Sequence, residues 1–264
     1  MHKLTVTVIT RNESQHIAAA LESVKWADEI IVVDSESTDD TVAIANRYTP
    51  RVIVRAWPGY VAQKNFAAEQ ASNDWILSLD ADERVSPELA DEIRRMLAAP
   101  AAAGYRIPRV TFHLGRWIRS TDWYPDYQLR LYNRRRARWT GRYVHESVRA
   151  DGAVGKLRSE LQHYAYRDLA HHVETMDRYT ALAARQMFED GRRANWIDIL
   201  VVPRLTFFRN YILRGGFRDG MVGLIISAMN AYYVGVKFAK LWELCSPSTS
   251  TPPAHGVADK TRSS

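Results

Sequence analysis

Three carboxylates crowd the end of an apolar run in WILSLDADERVSP, residues 75–87: Asp80, Asp82 and Glu83. Strand alternation would send Asp80 and Asp82 to one side, about 7 Å apart. Like charges that close need a cation between them. Hard carboxylate oxygens suit Mg²⁺ or Mn²⁺ holding a diphosphate. The competing reading is local: Asp82, Glu83 and Ser86 solvate a loop and cap the next helix.

Other acids pose similar choices. Asp34 ends the apolar run EIIVVD and precedes SESTDDT, where it could accept hydrogen bonds from a nucleobase or ribose. Alternatively Ser37 or Thr38 caps a helix whose dipole Asp39 and Asp40 complement. Asp126 stands among Trp123, Tyr124, Tyr127 and Tyr132, surfaces on which a sugar could stack, and a positioned carboxylate can take a proton from an attacking hydroxyl. Asp122 is its competitor, and an ordinary turn acid after Pro125 is the plain alternative. The histidines show no zinc spacing. Adjacent His171 and His172 read as surface or packing residues, and His145 and His163 stand in strand-like contexts.

The elements that would position these groups alternate. LTVTVIT, EIIVVDS, RVIVRAW and DWILSLDAD read as strands, separated by helical SQHIAAALESVKW with Ser14 as a possible cap, STDDTVAIANRY and YVAQKNFAAEQA. Ser86 and Pro87 open a further helix carrying Leu89, Ile93 and Leu97. This order predicts an α/β fold with a mostly parallel sheet flanked by helices. Ligands in such sheets bind beyond the carboxyl ends of the strands, where TRNE, DSESTDD and DADE all fall.

From about residue 104 shorter strands are expected in YRIPRV, YQLRLYN and VHESVRA, then helices over 168–190, 196–213 and 217–243. RLYNRRRARWTGRY contains Arg130, Arg134, Arg135, Arg136, Arg138 and Arg142, which could grip a phosphorylated glycolipid, a membrane surface or nucleic acid, or form a solvated face. The late helices mix aromatic residues with arginines, as a peripheral membrane anchor, a helical cap or a dimer interface would. The uncharged run Met221–Val236 is shorter than the roughly 20 residues needed to cross a bilayer, so an interfacial helix is expected. Residues 246–264 have little to bury and are expected to be disordered.

A net charge of +6 and a pI near 9.4 favour an acidic partner. MHKLTVTVIT reads as a strand rather than a signal peptide, and the single cysteine, Cys245, fits a reducing compartment, so a cytoplasmic location is expected. TRNESQH lacks the glycines wanted by a sugar-phosphate nucleotidyltransferase or a dinucleotide oxidoreductase. A noncatalytic nucleotide- or lipid-binding protein is the remaining alternative.

VTVITRNESQHIAAALESV, EIIVVDSESTDDT and WILSLDADERV resemble the opening motifs of inverting family-two glycosyltransferases of the GT-A fold. YPDYQLRLYNRR, GRYVHESV, LQHYAY and RGGFRDGMVG are similar to the branch containing lipopolysaccharide core β-1,4-glucosyltransferases, so the resemblance spans roughly residues 4–240. It implies a catalytic domain over 1–165, with a nucleotide-sugar half (1–103) and an acceptor half (104–165), then a helical extension over 166–245. By this resemblance Asp34, Thr10 and Glu13 bind the donor nucleotide, Lys64 and Arg130 approach the diphosphate, and Asp80 and Asp82 form the DxD pair. Asp82 would be the direct ligand of Mg²⁺ or Mn²⁺, His145 a further metal contact and Asp126 the general base. The donor would be a nucleotide sugar, UDP-glucose in the most specific form, and the acceptor a glycolipid or saccharide. The enzyme would sit peripherally on the inner face of the plasma membrane, without nucleic acid.

Overall fold

The computed structural model describes residues 2–141 and 146–246. Arg142, His145 and the expected disordered tail past Ser246 lie outside the described residues. β1 (Leu4–Thr10) is buried along its whole length, threonines included. That is the signature of a central strand covered on both faces. It pairs in parallel with β2 (Glu29–Asp34), which pairs in parallel with β3 (Val52–Val54), and on its other side with β4 (Trp75–Asp80). Helices α1 (Ile17–Glu22), α2 (Thr41–Ala45) and α3 (Tyr60–Glu69) make the crossovers.

β4 ends at Asp80, and β5 (Glu83–Val85) is a separate short strand. Strand alternation therefore stops before Asp82, which lies in the turn. α4 (Pro87–Ala98) starts as expected, with the Ser86 hydroxyl accepting from the Leu89 amide, and buries Leu89, Ile93 and Leu97. Ser14 caps nothing: α1 begins at Ile17 without a side-chain cap. At α2, Asp39 rather than Ser37 or Thr38 takes the Thr41 amide, along with the Ser14 amide.

The second half follows with β6 (Gly104–His113), β7 (Arg116–Ile118), β8 (Asp126–Asn133), β9 (Ala137–Thr140), β10 (Ser147–Ala150), β11 (Val154–Lys156) and β12 (Leu161–His163). The main sheet runs β3-β2-β1-β4-β8-β6-β12-β5, with β7 and β11 also on β6. β8 is antiparallel to both β4 and β6. β12 runs parallel to β6 and antiparallel to β5. One edge of the sheet thus collects the ends of β1, β2, β4, β6 and β12 and the starts of β5 and β8.

Alternate residues of the strands feed two cores. Val6, Val8, Leu77 and Leu79 pack with Ile17, Leu21, Leu89 and Ile93. Ile9, Ile31, Val33 and Ile76 pack with Ala67, Trp139 and Val148 on the other face. The helical half comprises α5 (Leu169–Glu189), α6 (Trp196–Phe208) with a π-helical turn Arg209–Leu213, and α7 (Gly220–Cys245). α6 carries the capping box of Asn195 and Asp198.

A polar latch ties these helices to the sheet. Ser120 donates to Asp219 at 2.5 Å, the Asp122 amide to Asn210 at 2.7 Å, and the Trp123 indole to Asn230 at 3.1 Å. At the head of α7 the backbone passes so close that a Cβ on Gly223 would lie 1.8 Å from the Gly216 carbonyl oxygen. Gly223→Ala should therefore destabilise the fold by about 3 kcal/mol or more. Thermal unfolding should show Tm falling by roughly 6 °C or more; an unchanged Tm would mean that this contact relaxes freely.

Candidate active site

At the shared edge of the sheet, Arg130 lies buried between two carboxylates, 2.5 Å from Asp80 and 2.7 Å from Glu83. Lys64, buried on α3, reaches Asp80 at 3.1 Å and Glu146 at 3.7 Å, and lies over the Trp139 ring. Arg109 bridges Glu83 at 3.1 Å and Asp126 at 2.7 Å. The cation expected between the crowded acids is, for Asp80 and Glu83, the chain's own. Burial opposes every charge here, yet the Arg130 and Lys64 charges hold the Asp80 carboxyl well below the usual range. Asp80 and Glu83 likewise hold Arg130 above its ordinary value against the cost of burial.

Asp82 differs from its neighbours. Its only ion-pair partner among the described residues is His163, at 3.3 Å. It lines the cavity together with Glu13. Burial, and then the charges of Asp82 and Asp39, push the Glu13 carboxyl up to about 7. This corner therefore carries negative charge that no lysine or arginine ion pair neutralises. Among the described residues no group of three or more His, Cys, Asp or Glu side chains is placed to hold a metal ion unaided. A hard divalent cation needs less from the protein, since one or two carboxylates suffice when phosphate oxygens and water complete the shell. Asp82 fits that requirement. Asp80, with both oxygens engaged, does not share it equally.

The remaining expected residues fall in different places. Thr10 lines the cavity, and its buried hydroxyl has no partner among the described residues. Asp34 is buried and turned onto Ser37, accepting from its amide at 2.8 Å and its hydroxyl at 2.5 Å. It does not line the cavity. Asp126 stands just behind the cavity wall, with one oxygen on Arg109 and the other accepting from Gln128 at 2.6 Å; both of those partners face the cavity. The competitor Asp122 is tied to Arg209 and Asn210 in the latch. His145 lies outside the described residues.

The arginine run does not form one surface. β8 carries Arg130 into the site, while Arg134 and Arg135, at its far end, hold α3 carbonyls and Asp74. The cavity, about 830 Å³, has a second wall that the sequence did not connect to it. Trp123, Tyr166, His172, Arg178, Tyr179 and Tyr233 come to it from the acceptor half and the helical extension. His171 and His172 both line it. His172 is buried, 3.2 Å from His113 and stacked on Tyr166, and burial followed by the His113 charge takes it down to about 4.

Glu13 gives this corner a pH signature. A carboxyl raised on folding contributes stability that is complete below its unfolded value and is lost as pH rises through the folded one. Its contribution should thus disappear between pH 4.5 and about 7. With solvent screening allowed for, the effect is on the order of 1 kcal/mol. The difference in Tm between the parent and Glu13→Gln across that range should show it; parallel profiles would assign the charge excess elsewhere.

The Glycosyl transferase family 2 profile matches residues 5–154. A Rickettsia felis protein named as an uncharacterized glycosyltransferase is 34% identical over 258 residues, covering 92% of this chain and 90% of its own length. The lipopolysaccharide core biosynthesis glycosyltransferase LpsC of Rhizobium meliloti is 31% identical over 248 residues, covering 91% and 92%. The crystal structure of S. aureus TarS 1-349 in complex with UDP-GlcNAc aligns at 14% identity over 91% of this chain and 90% of that one, with a TM-score of 0.48. On the extent of the family match and of its full-length relatives, this chain belongs to glycosyl transferase family 2 and is a glycosyltransferase.

Proposed function

We propose that the chain transfers a hexosyl group, glucose in the most specific form of this reading, from a UDP-linked donor to a hydroxyl of a lipopolysaccharide-core-like or other glycolipid acceptor. The reaction inverts the anomeric carbon, and the enzyme works peripherally on the cytoplasmic face of the membrane. The observation that carries the reading is the cavity at the strand ends, where Asp82 has His163 but no lysine or arginine as an ion-pair partner among the described residues, while Lys64 and Arg130 line the same cavity. Family membership and the LpsC relative support the reaction class and the kind of acceptor. The single Cys245 suits a reducing compartment.

In this reading Thr10 and Glu13 border the donor, and Asp34 shapes the Asp34–Ser37 turn against which the nucleobase rests. Lys64 and Arg130 present positive charge to the diphosphate. Asp82 would hold Mg²⁺ or Mn²⁺, with His145 as a further contact; such an ion, when bound, offsets the charge gathering on the leaving diphosphate. Asp80 acts indirectly by fixing Lys64 and Arg130. The acceptor hydroxyl attacks the anomeric carbon and passes its proton to Asp126, while the bond to the diphosphate breaks and its electron pair leaves with UDP. Arg109 and Gln128 occupy only part of the Asp126 lone-pair capacity, so the carboxylate retains sites for that proton.

Thermal shift and donor hydrolysis should be measured with UDP-, GDP- and ADP-sugars, with and without Mn²⁺. A UDP-sugar should stabilise the protein most, and Asp82→Ala should abolish the Mn²⁺-dependent part. Asp126→Asn should keep donor binding and slow transfer by roughly a hundredfold or more. If no nucleotide sugar stabilises the chain under any metal condition, this reading fails.

A further inference from the structure

We infer that the outer face of α6 and α7 docks on an anionic phospholipid bilayer, with one acyl chain entering the groove between the two helices. The inference deepens the membrane placement proposed above and rests on that reading for the nature of the acceptor.

The exposed positions on each helix line up. On α6 and the turn after it Ile197, Leu200, Leu205, Phe208 and Ile212 are exposed; on α7 they are Met221, Ala228, Tyr232, Ala239 and Trp242, spaced at close to helical turns along one stripe. Several are largely bare: Trp196 at 66%, Leu205 at 61%, Leu213 and Met221 at 69%. Between the helices runs a groove of about 710 Å³, lined by Leu200, Pro203, Phe207, Ala231, Tyr232 and Val236, with Arg204 as its only charged residue. Small side chains on the α7 side keep it open enough for a hydrocarbon chain.

Charge selects the partner. From residue 196 to 245 the sequence carries Arg204, Arg209, Arg214, Arg218, Lys237 and Lys240 against Asp198, Asp219 and Glu243. Asp219 is spent internally on Ser120 and Arg116, Asp198 on the cap of α6, and Arg209, Arg214 and Lys240 are paired with Asp122 and Asp177. Arg204 and Arg218 make no ion pair among the described residues, and both stand beside the exposed apolar side chains. Apolar area flanked by cations is what an interfacial helix presents to anionic lipid.

α7 has two faces with different duties. Asn230 and Tyr233 line the catalytic cavity, while Ala231 and Tyr232 line the groove. One helix, roughly 10–12 Å across, therefore separates the acceptor wall from the lipid. By length and composition Gly216–Cys245 could cross a membrane. Its inner face argues for lying in the interface instead: Asn230 bonds to Asn210 and Trp123, and Lys240 to Asp177. Crossing would strip those polar groups of their partners in hydrocarbon. A glycolipid in the same leaflet could then lift its saccharide past α7 into the cavity without leaving the bilayer.

The test is cosedimentation of the full chain with vesicles of phosphatidylcholine alone or with one quarter phosphatidylglycerol, at low and high salt. Binding should need phosphatidylglycerol and weaken with salt. Leu205→Ser/Phe208→Ser/Met221→Ser and Arg204→Glu/Arg218→Glu should each reduce it by about tenfold or more, with thermal unfolding showing that both variants remain folded. Four results would overturn the inference: no binding to the anionic vesicles, equal binding by the variants, retention of the chain in membranes through alkaline extraction, or a dimer abolished by the same substitutions in a chain that ignores lipid. Vesicle binding by a chain that no nucleotide sugar stabilises would instead leave the docking surface standing and remove the transferase reading.

Discussion

The buried guanidinium of Arg130, held between Asp80 and Glu83, is the contact on which the rest of the site depends. A buried ion pair contributes little net stability, because desolvation offsets most of the attraction. Losing one partner is another matter. Without Arg130 two carboxylates would face each other across the sheet edge, at a cost of about 3–5 kcal/mol. The same side chain joins strands from both halves: Asp80 ends β4, Glu83 begins β5, and Arg130 sits in β8 between β4 and β6. It is therefore both a clamp on the topology and the source of positive potential behind the cavity. Its Nε has no partner among the described residues, so its donor capacity is not exhausted there.

The clamp also explains why three neighbouring acids have three roles. Asp80 and Glu83 are consumed by Lys64, Arg109 and Arg130, whereas the His163 imidazole is the only ion-pair partner of Asp82 among the described residues. Nothing in DADE distinguishes them, because the distinction comes from residues 16 to 81 positions away. The strands and most of their crossovers were legible, since burial period, Ser86–Pro87 and the apolar runs are local signals. So was the clustering of Thr10, Glu13, Asp80 and Asp82 at the carboxyl edge, which follows from parallel topology alone.

Less legible were features whose cause is pairing at long range. β5 exists because β12 offers it an edge, and that pairing turns Glu83 inward. A strand end predicts where Asp34 sits, not its hydrogen-bond partners; Ser37 donates to both of its oxygens, a local contact that the sequence pattern did not show. The arginine run read as one patch, yet a strand carries its residues across the molecule at about 3.3 Å each. Four residues beyond Arg130, Arg134 is already on the helix carbonyls at the far end of α3. A helical cap was one of three readings of the late helices, but its place against the cavity was not legible for the same reason, since the Trp123–Asn230 bond joins positions 107 apart.

That wall changes what the helical extension is for. A sheet edge alone supplies charge to a donor, but it leaves the opposite side of the reacting carbon open to water. Here α5 and α7 supply that side with Tyr179 and Tyr233, and the segment between β12 and α5 adds Tyr166; burial pulls the buried His113 and His172 imidazoles below their ordinary value, and both brace the aromatic surface. The ion-paired charges thus lie on the sheet side, and tyrosine rings face them from the helical side beside Arg178. A sugar presents the same division, with polar edges and a less polar face that stacks on aromatic rings. The latch from Ser120 to Trp123 fixes the distance between the two surfaces, because its bonds to Asp219, Asn210 and Asn230 bind the sheet side directly to the helices. Shifting those helices would alter the cavity as surely as changing a carboxylate. The extension is therefore part of the body that forms the cavity rather than an appendage to it.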